Sequence, residues 1–88
     1  MSKITPENVK LKDWISVGVR DAVVCHIYEN EPNKVEVVYL DRNRAIGEDA
    51  HYEDEKWTFV FKEPCGIYAD NSPQLGEYVS ILRAGRWR

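Results

Sequence analysis

Apolar residues recur at every second position through the first two-thirds of the chain, the period of a strand with one buried face. Val9 and Leu11 alternate with lysines, and Ile15 and Val17 flank Ser16, which predicts an opening strand over residues 9–17. Gly18 marks a turn or bulge. Within Arg20–Tyr28, the run Ala22-Val23-Val24-Cys25-His26-Ile27-Tyr28 is apolar almost throughout, as expected of a strand buried on both faces or curved around a core. Glu29-Asn30-Glu31-Pro32-Asn33 is a polar loop, and Lys34–Asp41 is again rich in β-branched and aromatic residues, so the two strands form a hairpin.

Asp41-Arg42-Asn43-Arg44 is a second polar turn. Residues 45–52 make a weaker strand, with Ile46 and Tyr52 as its large apolar residues and Gly47 between them. Glu53-Asp54-Glu55-Lys56 reads as a hairpin tip, after which Trp57, Phe59 and Phe61 share one face and Thr58, Val60 and Lys62 the other. Pro64-Cys65-Gly66 interrupts the chain, and Ile67-Tyr68-Ala69 is a short edge segment.

Near the C-terminus the period lengthens. Leu75, Tyr78, Val79 and Leu82 fall at i, i+3, i+4 and i+7, one face of a helix. Ser72 suits the N-cap, Pro73 the first helical position, Gly85 the C-terminal cap, and Arg83 and Arg86 the negative end of the helix dipole. Gly76 is the opposing signal, because glycine in a helix interior costs ~1 kcal/mol. A helix over 73–84 is the expectation; a final strand over 78–82 is the alternative. Thr5-Pro6-Glu7 predicts one further helical turn near the start.

Residues 9–69 as a barrel and 73–84 as a helix thus make one domain. The 88 residues, 43% of them hydrophobic, suffice for a single core without metal or disulfide staples. No apolar run approaches the ~18 residues that span a bilayer, and no signal-peptide core follows Met1, so no membrane association and a cytoplasmic location are expected. In that compartment Cys25 and Cys65 are free thiols. The net charge of −3 argues against nucleic acid as the main partner. Charge is nonetheless uneven: Glu48, Asp49, Glu53, Asp54 and Glu55 crowd one stretch, while Arg83, Arg86 and Arg88 load a tail with no acid after Glu77. A solvated hairpin tip and a helix end account for both.

The segment Val9-Lys10-Leu11-Lys12-Asp13-Trp14-Ile15-Ser16-Val17 resembles the opening strand of SH3-like small barrels, with Lys12 where a glycine is usual. The hairpin of Ala22–Tyr28 and Val35–Leu40 looks like the second and third strands of Tudor or KOW barrels. The resemblance covers residues 9–62 and implies a mainly β fold: an SH3-like antiparallel barrel of about five strands with a short C-terminal helix. It does not extend to polyproline binding, since Trp57 lacks a paired tryptophan and Pro73 precedes Tyr78 at the wrong spacing. The general look is that of a short bacterial protein.

Candidate chemistry is sparse. Cys25, His26, His51 and Cys65 are of the types that bind zinc, but adjacent Cys25 and His26 point to opposite faces of a strand, so no metal is expected. Cys65 with His51 and Asp70, or Glu48, Asp49 and His51 as acid–base groups, have no supporting spacing, and the latter read as a solvated face. The glycines are scattered singly, with no phosphate-binding loop. No enzyme and no cofactor are expected.

Ten aromatics (three Trp, five Tyr, two Phe) exceed what a small core requires. Tyr28, Tyr39, Tyr52, Trp57 and Tyr68 lie near turns, and a cluster of them beside Asp41 or Asp54 would make a protein- or peptide-binding surface. The competing reading places Trp14, Trp57 and Tyr78 in the core. As an alternative function, Arg83, Arg86, Trp87 and Arg88 interleave cations with an aromatic, a pattern that stacks on bases and contacts phosphates. The same tail can dock on an acidic patch, including Glu53-Asp54-Glu55 of a second copy.

Overall fold

A computed structural model describes residues 4–31, 33–60, 67–68 and 73–85. The alternating segments become β1 (Trp14–Val17), β2 (Arg20–Ile27), β3 (Lys34–Asp41), β4 (Arg44–Glu53) and β5 (Lys56–Phe59). A two-residue β6 (Ile67–Tyr68), a 3-10 turn (Pro73–Leu75) and helix α1 (Gly76–Ala84) complete the order. The result is mainly β: a closed five-stranded barrel with a short C-terminal helix.

Each ring strand pairs antiparallel with the next, and β1 meets β5 to close the ring. In an up-and-down meander of five strands the first and last run the same way, so the closing pair must be parallel. Val17 opposite Trp57 is that pair, and the Gly18 N–H donates to the Trp57 carbonyl at 3.2 Å. β6 pairs with Ile46 and Gly47, in the first half of β4, where β5 does not reach.

Residue parity builds two cores. Inward go Ile15 and Val17 from β1, Ala22 and Val24 from β2, Val35, Val37 and Tyr39 from β3, Ile46 and Ala50 from β4, and Trp57 from β5. The opposite face of the same strands supplies Val23, Cys25, Val38 and Ala45, which Val79 and Leu82 of α1 cover, with Trp14, Leu40 and Tyr78 at the margin. β2 is therefore buried on both faces, which explains its nearly continuous apolar run. Gly76 is the first residue of α1, so its interior cost does not arise. Gly85, at φ 94°, ends the helix, its N–H bonded to the Ile81 carbonyl. The proposed cap Ser72 lies outside the described residues.

Two local departures from simple alternation follow from specific contacts. Residues 9–13 do not extend β1: Asp13 accepts from the Lys10 N–H at 2.8 Å while its own N–H reaches the Lys10 carbonyl, closing a turn that leaves Leu11 exposed. Lys12, in that turn, pairs with Glu77 of α1. In β2 the register slips between Val24 and His26, making Cys25 the extra residue of a bulge. Ile27 then packs on the barrel interior, and His26 stays exposed.

The turns at the two ends of β4 share one backbone form. Arg42 and Asn43 have φ of 51° and 69°, and Asp54 and Glu55 have 53° and 65°, positive at both central positions as a type I′ hairpin requires. Neither turn contains glycine, so each bulky residue there carries about 1 kcal/mol or more of backbone strain.

Candidate functional site

The inward series of three strands ends in charge. Arg20 precedes Ala22 and Val24, Asp41 follows Val37 and Tyr39, and Arg44 precedes Ile46, so all three ring the same mouth of the barrel. The Arg20 guanidinium donates to the Leu40 carbonyl at 3.0 Å and to Asp41 Oδ1 at 3.3 Å, and it lies 5.1 Å from the centre of the Tyr39 ring. Deeper still, the Tyr39 hydroxyl donates to Glu48 Oε2 at 3.1 Å. Glu48 is 6% exposed, the one buried charged residue among the described residues.

Beside this chain of contacts is a depression of about 390 Å³ lined by Asp41, Arg42, Arg44 and Ile46. Helix α1 brings in another cation, because Arg83 Nη2 donates to the Asn43 carbonyl at 3.2 Å. Arg42, Arg44 and Arg83 are exposed, while Asp41, the acid among the described lining residues, is engaged by Arg20. Three exposed guanidinium groups thus gather at one corner of a protein that is negative overall.

No family model, curated protein or solved structure matches the chain. Among the described residues, no helix is long and apolar enough to cross a membrane, and no group of three or more His, Cys, Asp or Glu side chains is placed to hold a metal ion.

The aromatics expected to form one contact surface are divided between the barrel interior and its two ends. Tyr39 and Trp57 are 1% and 5% exposed, because both occupy inward positions of their strands. They form the interior and offer no contact surface. Tyr52 is half-buried against Trp57, ring centres 5.1 Å apart. Tyr28 lies at the other end of β3, donating to Asp49 at 2.6 Å, edge-on to His26 and 5.1 Å from the Lys34 ammonium. Tyr68 stands opposite Ile46 on β6, with its side chain outside the described residues. Among the described residues of that set, two pairs are brought together: Tyr52 with Trp57 in direct ring contact, and Tyr39 with Asp41 through Arg20. Of the arginine tail, Arg83 is placed; Arg86, Trp87 and Arg88, like Cys65 and Asp70, lie outside the described residues.

Two further expectations change. Glu48 is not part of a solvated face: on β4 it falls between inward-facing Ile46 and Ala50. Cys25 and His26 do not split between the two faces, because the bulge keeps both out of the barrel interior. Burial, reinforced by Glu36, pushes the Cys25 thiol far up, which leaves it protonated and unreactive. The sequence reading missed Arg20, Arg42 and Arg44. Their available signal was position: each begins a strand or sits in the turn at one end of β4, opposite the acidic tip.

A second depression of about 360 Å³, at the Tyr28 end, is lined by Glu31, Asn33, Lys34, His51 and Val60. Lys34 there contacts both Glu31 and Asp49 at 3.5 Å, so its charge is locally neutralised.

Alkaline pH tests the interior contact. Burial first, then the neighbouring Glu48 carboxylate, pushes the Tyr39 phenol from 10.0 up to about 12. The unfolded chain releases this proton near pH 10 while the folded protein keeps it. The contribution is thus fully present below pH 10 and is lost as pH rises through 12. Tyr28 and Cys25 shift in the same direction. Urea midpoints are expected to fall steeply over this range, and more shallowly in Tyr39→Phe; identical slopes would contradict the burial of the Tyr39 hydroxyl beside Glu48.

Proposed function

We propose that the protein is a non-catalytic binding module that takes an acidic segment of a protein partner at its arginine corner. The supporting observation is the convergence of Arg42, Arg44 and Arg83, from a turn and a helix far apart in sequence, beside an open depression. Guanidinium groups match carboxylates in bidentate geometry, and arginine is enriched among residues that dominate binding. The SH3-like character of the barrel and the bacterial, cytoplasmic setting belong to the same proposal; the buried free thiol of Cys25 fits a reducing compartment.

A short acidic segment suits this corner better than a long polyanion. The ten residues of β4 separate Arg44 from Glu53 by roughly 30 Å at ~3.3 Å per residue. That exceeds the ~8 Å Debye length of physiological salt, so a short ligand is screened from the acidic tip while an extended one meets it. The second reading, a nucleic-acid accessory protein using Arg83 and the residues that follow, is favoured by the docking of Arg83 on the same corner.

Fluorescence anisotropy with a labelled Asp/Glu-rich peptide separates the two. The double variant Arg42→Ala, Arg44→Ala is expected to keep its circular-dichroism spectrum and lose about tenfold in affinity, some 1.4 kcal/mol. Unchanged affinity would refute the proposal. Tighter binding of a single-stranded oligonucleotide than of the peptide, abolished by removing residues 83–88, would favour the second reading.

A further inference from the structure

We infer that the acidic segment received by the arginine corner is the β4–β5 tip of a second copy of this chain, so that molecules associate head to tail. The inference rests on the binding reading above and names its occupant. Four observations carry it.

The two ends of β4 are complementary in charge. Arg42 and Arg44 stand in or beside one turn, and Glu53, Asp54 and Glu55 in the other, all of them exposed. The two turns also have the same type I′ backbone, so both project as narrow two-residue tips from one rigid strand. They cannot meet within one molecule, because a ten-residue strand holds them apart. Finally, the depression beside Arg42 and Arg44 has about 390 Å³ of open space, enough for on the order of a dozen waters that an entering acidic tip would displace.

Such a contact is heterologous: the surface used on one molecule differs from that used on the next. It therefore builds open chains rather than closed dimers. The interface is small and made largely of exposed ion pairs. Dissociation constants on the order of 10⁻⁴ M and strong salt dependence are expected.

Sedimentation equilibrium provides the test, using the full chain and two variants whose folding is checked by circular dichroism. The unaltered protein is expected to show an average mass that rises with concentration at ~0.05 M salt and returns to the monomer at ~1 M, where the Debye length is ~3 Å. The variant Arg42→Gln, Arg44→Gln loses the receiving corner; the variant Glu53→Gln, Asp54→Asn, Glu55→Gln loses the tip. Each alone is expected to remain monomeric. Their equimolar mixture should form a mixed dimer and nothing larger, since each contributes one intact surface. A monomer at every concentration in low salt, or undiminished association of either variant alone, would overturn the inference. If the full chain stays monomeric yet binds the acidic peptide, the self-association fails while the binding proposal stands.

Discussion

Trp57→Ala is expected to lower the unfolding free energy by about 3–5 kcal/mol, the range for emptying a buried aromatic site. Trp57 is 5% exposed and stands at the single residue pair through which β5 meets β1. Its indole Nε1 donates to the Ile4 carbonyl at 3.0 Å, pinning the N-terminal segment over the end of the barrel. Alanine removes the filling of the seam and the tether together. Small domains have about 5–15 kcal/mol in total, so the variant should be partly unfolded near 37 °C. Urea titration followed by circular dichroism measures the loss; a change below about 1 kcal/mol would contradict this placement of Trp57.

Val38→Asp tests the second core in the same way. Val38 is fully buried on the outer face of β3, beneath Val79 and Leu82. A carboxylate placed there would lie in the cluster of Val23, Cys25, Ala45, Val79 and Leu82. A loss of roughly 4 kcal/mol or more is expected, since the group must be buried uncompensated or must push the helix away. Releasing the helix also withdraws Arg83 from Asn43, so any folded fraction should bind the acidic peptide more weakly. Near-normal stability would show that α1 does not cover this face.

The architecture was largely legible because its signals are local. Alternation over 14–17, the nearly continuous apolar run within 20–27 and the β-branched and aromatic residues of 34–41 mark three ring strands, and the spacing of Leu75, Tyr78, Val79 and Leu82 with Gly85 behind them marks the helix. β2 even declared its double burial, since no polar face interrupts Ala22–Cys25. The bulge at Cys25 was not legible: nothing in Val24-Cys25-His26 distinguishes it from regular strand, and only pairing with Glu36 creates it. Residues 9–13 misled for a related reason. Their alternation is genuine, but the Asp13 side chain closes a turn that competes with the strand.

The site was less legible than the fold. Tyr39 and Trp57 resemble surface aromatics by their nearness to turns, yet strand parity directs both inward. Parity likewise turned Glu48 into the buried partner of Tyr39, while its neighbours Asp49 and His51 lie half-exposed. Arg42 and Arg44 looked like ordinary turn residues because a cluster of arginines from separate elements is a tertiary property. It takes shape only when a contact forty residues away in sequence brings Arg83 onto Asn43.

The binding surface can be mapped directly by recording ¹H–¹⁵N spectra of the labelled protein during titration with an Asp/Glu-rich peptide. Shifts are expected to concentrate on the amides of residues 41–44 and the side-chain resonances of Arg42, Arg44 and Arg83, leaving Tyr28 and Tyr52 unmoved. Shifts centred on Tyr28 and Tyr52, with residues 41–44 silent, would place recognition on the opposite end of the barrel and contradict the arginine corner as the binding site.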